Sequence, residues 1–269
     1  MIILIAVLAA IAAIIYIGLQ VLPAPFESIP TQNQQLKSLP LPDDLPQPVD
    51  RFYRLIYGDQ IPMIDIAVLS GRAKLVFNGI TFPARFRFTH NAGQDYHHQI
   101  ELALFGIPIL EADESYINSN SRMVLPCGTI ENEPKVDQAA NLGLWAETFW
   151  FPAVFLTDER AQWESVDATT ALLHVPFEDE VETFTVKFDE NTGFIRSMEA
   201  MRYKEADSSQ EIRWLNEVLE WGTISGQEIF TVGSATWEDD GKPWAIFTVE
   251  EIAYNISTDF AIADLVEFF

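Results

Sequence analysis

The chain has 269 residues, with 16 Lys and Arg against 40 Asp and Glu for a formal net charge of −24, yet 48% of its residues are hydrophobic. That is too apolar for a disordered acidic tail, and so much negative charge repels nucleic acid and anionic membrane faces. One Cys excludes a disulfide framework and any Cys-based zinc or iron–sulfur site.

In chain order, the first element is a run without a charged side chain, Met1 to Phe26, in which Ile2 to Leu22 is almost wholly Ile, Leu, Ala and Val. As a helix, Ile2 to Leu22 would be roughly 32 Å long, close to the ~30 Å hydrocarbon thickness of a bilayer. It lacks the basic start and the Ala-x-Ala-like site of a cleaved signal. Residues 1–22 are therefore expected to form a single transmembrane anchor, with the domain on the extracytoplasmic side. Seven of the fifteen prolines lie between Pro23 and Pro48. Residues 23–48 are expected to be an extended, semi-rigid linker, because proline suits neither a helix interior nor a central strand.

Residues 49–269 are read as one β-rich domain. It opens with a short amphipathic helix that puts Val49, Phe52 and Ile56 on one face and ends near Gly58. The period then changes from 3.6 to 2. Ala73, Leu75 and Phe77 alternate with Arg72, Lys74 and Val76, Asn78-Gly79 supplies a type I′ turn, and Phe82, Ala84, Phe86 and Phe88 follow. This hairpin sets Leu75 opposite Phe82, Ala73 opposite Ala84 and Arg72 opposite Arg85. A third strand, Tyr96 to Phe105, places His98, Ile100, Leu102 and Leu104 on one face and His97 on the other. Next comes a helix that Asp137 can cap, with Ala139, Leu142, Trp145 and Phe149 at helical spacing and Pro152 beyond its end. Alternation returns in Ala171 to Phe177, Phe184 to Phe188 and Pro243 to Ile256. Ile212 to Ile224 fits either a strand or a helix, the flanking strands favouring the strand. Ten to twelve antiparallel strands result. The expected fold is α+β and mainly antiparallel β: a curved sheet or open β-barrel with a helix against its concave face.

The stretch Leu144-Trp145-Ala146-Glu147-Thr148-Phe149-Trp150-Phe151-Pro152, with Trp163-Glu164-Ser165-Val166-Asp167, Phe188-Asp189, Gly193 and Met201-Arg202-Tyr203, resembles an uncharacterised bacterial domain-of-unknown-function family. The ending Trp237-x-Asp-x-Gly241-x-Pro243-Trp244 with Tyr254-Asn255 is similar to the same family. The resemblance covers roughly residues 50–256 and brings no activity with it. The sheet-plus-helix layout also resembles the periplasmic lipoprotein-carrier fold, whose concave face takes acyl chains; that likeness is of architecture and supplies no residues.

Among chemistry-bearing groups, Glu147 lies off the apolar stripe of its helix, between Trp145 and Trp150. It reads as a weak candidate general acid in a sugar cleft, or as a helix-surface carboxylate paired with a strand Arg such as Arg202. His97 and His98 are adjacent on a strand and point to opposite faces, so no metal site is read there; with His90 they read as polar strand-end residues, although His174 could join. The acidic run Glu178 to Glu182 reads as a solvated hairpin tip. Arg72, Lys74, Arg85 and Arg87 form a basic strip balanced by acids such as Glu101. No phosphate-binding loop, Gly-x-Ser-x-Gly or His-Glu-x-x-His occurs in the sequence. Large rigid aromatics fill cores or line pockets. The pocket candidates are Trp145, Glu147, Trp150, Trp163, Arg202, Trp221 and Trp237, with no cofactor. The leading reading is non-catalytic: binding or sensing an apolar or amphipathic, lipid-like ligand. A glycan hydrolase using Glu147 and a structural protein-interaction module are the alternatives.

Overall fold

The computed structural model describes residues 2–30, 36–126 and 128–256; the remainder of the expected domain, 257–269, lies outside the described residues. Helix α1 (Ile2–Gly18) comes first, followed by β1 (Ser38–Pro40), α2 (Gln47–Tyr57) and β2 (Gln60–Pro62). One half of a large sheet follows: β3 (Ile66–Phe77), β4 (Ile80–Asn91), β5 (Asp95–Leu104), β6 (Ile107–Ile117), β7 (Asn120–Leu125) and β8 (Gly128–Glu131). Helices α3 (Pro134–Thr148) and α4 (Val154–Thr157) intervene. The other half is β9 (Gln162–Ser165), β10 (Thr170–Phe177), β11 (Glu180–Phe188), β12 (Ile195–Arg202), β13 (Ile212–Ile224), β14 (Gln227–Trp237) and β15 (Pro243–Tyr254).

β3 to β15 form one 13-stranded sheet in the order β8-β7-β6-β5-β4-β3-β15-β14-β13-β12-β11-β10-β9. Every neighbouring pair is antiparallel, and the two meandering halves join where β15 lies beside β3. Helix α3 packs on β6 and β7 from one half and on β10 and β12 from the other. The sheet therefore curls round the helix. Gln138 to Ala146 are all buried, as a helix enclosed on every side must be.

The hairpin expected from Asn78-Gly79 forms with the anticipated register: Leu75 faces Phe82, Ala73 faces Ala84 and Arg72 faces Arg85. Asn78 and Gly79 have φ of 49° and 76°, the two positive values that a type I′ turn needs. On the opposite face Arg85 donates to Glu101 at 2.7 Å and Arg72 pairs with Glu250, so two of the four residues of the basic strip face acids as read, while Arg87 donates to the Glu27 carbonyl. α2 buries Val49, Phe52 and Tyr53 and stops at Gly58, φ 71°. Residues 212–224 are strand: pairing with β12 and β14 on both sides overrides the helical spacing of Ile212, Leu215 and Leu219.

Three expectations are corrected. α3 starts at Pro134, which suits a first helical turn. Asp137 is not its cap; its carboxylate accepts the Ser121 backbone N–H at 2.7 Å and hydroxyl at 2.6 Å. The transmembrane anchor over 1–22 is not found. α1 has 17 residues, roughly 25 Å, and no helix among the described residues is long and apolar enough to cross a membrane. It ends because the chain turns at Gly18, whose carbonyl accepts the Phe105 N–H at 2.9 Å. Nor do the described parts of 23–48 stand off as a stalk. Phe26 lies under the Arg85 guanidinium, 4.3 Å from the ring centroid. Ile29 is buried with Val68 and Ile256, and β1 pairs with β2.

The join between the halves is closely packed at Gly71. Gly71 on β3 sits where β15 shifts register between Val249 and Glu251, and a Cβ there would fall inside the van der Waals radius of the Thr248 carbonyl oxygen. Gly71→Ala is expected to destabilise the protein by about 1–3 kcal/mol through forced backbone shift. Urea unfolding measures it, and a loss below about 0.5 kcal/mol would show that the join is loose.

Candidate functional site

The site lies between α3 and the concave face. Alternation along β5 directs Tyr96, His98 and Ile100 to that face and His97 to the other, where its Nε2 is 2.8 Å from Asp113. The β4–β5 pairing sets Phe88 opposite His98 and His90 opposite Tyr96, and β6 brings Glu114 opposite His98 from the other side. From α3 come Gly143, Ala146 and Glu147, with Trp150 one turn on. Their spacing of three and four places them on one face. Between them is a cavity of about 120 Å³. Phe88, Ile100, Trp150, Phe230 and Phe247 make an apolar wall, and Trp214, Asn216, Ser234 and Trp244 contribute polar atoms.

Charge concentrates at one end. Glu147 Oε2 is 2.7 Å from His98 Nε2 and 3.0 Å from His90 Nε2. On its other edge His98 has Glu114, 3.9 Å from Nδ1, and Glu114 accepts the Tyr96 hydroxyl at 2.5 Å. The His98 ring is held in place: Tyr96 stacks on it at 3.9 Å and 6°, and Phe88 lies 4.0 Å away. Burial alone would lower His98, but the Glu147 and Glu114 carboxylates outweigh it and raise its pKa to about 9. Burial alone would raise Glu147, but the two histidines win and lower it to about 2. Burial depresses His90, with Glu147 opposing. The end of the pocket thus holds an ionised Glu147, a protonated His98 and a neutral His90. A carboxylate in that state has no proton to give at neutral pH, the opposite of what a glycosidase general acid requires.

Two other polar features bear on ligands. Arg202 is half-buried, donates from Nε to the Ala139 carbonyl at 2.9 Å, and lies 4.2 Å over Trp214. It does not pair directly with Glu147, contrary to expectation; the two carboxylates only oppose the lowering that burial imposes on it. Four buried groups, Trp214 Nε1, Trp244 Nε1, Asn216 Nδ2 and Ser234 Oγ, make no hydrogen bond among the described residues. Trp214 and Ser234 are only 5% and 4% exposed, and buried donors without acceptors cost free energy.

Of the residues singled out from sequence, Glu147, Trp150 and Arg202 reach this pocket. The other four lie elsewhere. Trp145 packs on Phe155, Trp163 on Phe155 and Phe188, and Trp221 on Phe52 and Phe194. Trp237 lies beside Trp214 with the rings tilted 36° and lines an adjoining groove. His90, His98 and Glu114 were missed as a group. The signal was present: with the β4–β5 turn placed at Ala92 to Gln94, His90 and His98 fall diagonally on one face of adjacent strands.

The model of a family of unknown function, DUF6544, matches residues 34–249. The chain belongs to that family. No curated protein matches it. Among solved structures, a DUF1329 family protein from Desulfovibrio piger is 9% identical over 74% of this chain and 90% of its own, with a TM-score of 0.44. A putative outer membrane lipoprotein-sorting protein domain from Vibrio parahaemolyticus is 7% identical, covering 75% and 91%, TM-score 0.46. A LolA superfamily protein from Nitrosomonas europaea is 10% identical, covering 79% and 94%, TM-score 0.46. These likenesses are distant, and what those proteins bind does not transfer to this chain.

The charge pattern makes stability pH-dependent in a defined window. His98, raised from 6.5 to about 9, stabilises fully below pH 6.5 and loses that contribution as pH rises through 9. Glu147, lowered from 4.5 to about 2, stabilises fully above pH 4.5 and loses it as pH falls toward 2. The pair therefore contributes most between those values. Glu147→Gln is expected to cost about 1–3 kcal/mol at pH 6, because it leaves the buried His98 cation facing Glu114 alone, and to flatten the decline between pH 6.5 and 9. Urea unfolding in chelator-containing buffer tests this; a variant within about 0.5 kcal/mol of wild type, with the same pH slope, contradicts it.

Proposed function

We propose that this chain is a non-catalytic binding protein whose pocket between α3 and the concave sheet takes the end of an amphipathic, lipid-like ligand. The observation that carries this reading is an apolar wall of Phe88, Ile100, Trp150, Phe230 and Phe247 facing four buried donors that lack acceptors. A ligand fitting that combination has an apolar group bearing an uncharged acceptor such as an ester, amide or ether oxygen. The ligand itself needs no charged headgroup, since His98 and Arg202 already face Glu114 and Glu147. Size limits what enters. A cavity of about 120 Å³ is slightly smaller than the engineered cavity of about 150 Å³ that holds benzene, so it takes one short alkyl segment, and a longer chain would extend through the mouth.

Gly143 gives a direct test, because a Cβ there meets nothing closer than the Tyr96 hydroxyl at 3.9 Å. Gly143→Ala is expected to fold and bind as wild type; Gly143→Leu is expected to fill the cavity. Titration with methyl esters from butanoate to dodecanoate, followed by tryptophan fluorescence and calorimetry, should give saturable binding with Kd of about 10–100 µM. Gly143→Leu should weaken it at least about 10-fold, near 1.4 kcal/mol. Absence of saturable binding in wild type, together with no co-purified molecule in native mass spectrometry, would overturn the reading, as would unchanged affinity in Gly143→Leu.

A further inference from the structure

We infer that His90, His98 and Glu147 form a binding site for one divalent transition-metal ion at the floor of the pocket. The three side chains come from β4, β5 and α3, and each offers a donor atom, all within 4.8 Å of one another. Two imidazoles and one carboxylate suit zinc or ferrous iron; calcium and magnesium prefer all-oxygen sets. For bonds of about 2.0–2.2 Å, neighbouring donors on one ion stand about 3.0–3.5 Å apart. The 3.0 Å between His90 Nε2 and Glu147 Oε2 already meets that, and the 2.7 Å between His98 Nε2 and the same oxygen needs only a few tenths of an ångström of opening.

His90 supplies the independent observation. Its side chain is 0% exposed, yet neither ring nitrogen makes a well-aligned hydrogen bond among the described residues. Its Nε2 approaches Glu147 closely without donor–acceptor alignment. A wholly buried imidazole in that condition is costly as a purely structural residue, since an apolar side chain of similar size would fill the space without two unsatisfied nitrogens. A metal bond accounts for it.

The surroundings also match what ligating histidines require. Glu114 stands behind His98 on the Nδ1 side, where an outer carboxylate orients a ligating imidazole, and Tyr96 in turn holds Glu114. Stacking between Tyr96 and Phe88 fixes the His98 ring plane. His98 and Glu147 both line the cavity. An ion held there would present its remaining positions to whatever occupies the pocket. This inference stands on the three side chains and does not need the ligand reading above.

The test is calorimetric titration of the full chain, stripped with chelator, with ZnCl2, and a parallel titration with CoCl2 read by its visible absorption. One Zn2+ per chain with sub-micromolar Kd is expected, together with a Co2+ band of a nitrogen and oxygen site. His90→Leu keeps the volume and removes the unsatisfied nitrogens, so it should fold at least as stably as wild type while weakening Zn2+ more than about 100-fold. Glu114→Gln should weaken Zn2+ by about 10–100-fold, and His174→Ala, distant on β10, should leave it unchanged. Wild type with no stoichiometric Zn2+ binding would overturn the inference. So would His90→Leu binding Zn2+ as wild type does, or His174→Ala losing it. Because these titrations contain no organic ligand, their outcome is independent of the ester titrations.

Discussion

The contact on which the rest of the site depends is the 2.7 Å pairing of Glu147 with His98. It ties the central helix to the middle of one sheet half inside an otherwise aromatic interior. Taking two charges out of water costs several kcal/mol per ion, and their attraction offsets this only when the geometry is good and the remaining lone pairs and protons have partners. The neighbourhood meets that condition asymmetrically. Glu114 and Tyr96 support His98 on one side, whereas His90 sits on the other with no aligned partner among the described residues. The pair thereby couples the depth and rotation of α3 to the position of β5.

That helix position explains why a cavity exists at all. A 13-stranded sheet curling round one helix has to be filled by large side chains, and the Phe and Trp residues do so nearly everywhere. At the face carrying Gly143 and Ala146 the helix offers almost no side-chain volume, and the space opposite is left open. Filling it with another aromatic would displace the polar groups of β13 and β14 or the Glu147 end. The net charge of −24 is carried mainly outside this interior, at turns and strand edges such as Glu178 to Glu182, while the pocket holds compensating charges of both signs.

How much of this was legible in the sequence differs by length scale. The β3–β4 hairpin could be read because two-residue turns fix register, and Asn78-Gly79 admits one turn type. The helix before Pro152 could be read from its spacing, and Glu147 stood out because it departs from that spacing. What failed were inferences about where a surface lies in three dimensions. Trp145, Trp163 and Trp221 are as large and rigid as Trp150, yet only the sheet's curl decides which indole faces open space. The adjacency of His97 and His98 drew attention to the pair that cannot act together, when the relevant partner of His98 is His90, across a turn. The run from Ile2 looked long enough to span a bilayer, but helix length is set by where the chain turns, and it turns at Gly18.

The protonation state of the buried cluster is the most direct measure of this account. A long-range proton–nitrogen correlation spectrum of the histidine side chains, recorded at pH 7 on metal-free protein, reports each imidazole separately. The account predicts that His98 is doubly protonated and His90 is neutral, with Glu147 ionised between them. A neutral His98 beside a protonated Glu147 carboxyl would contradict it, and with it the charge-compensated end of the pocket.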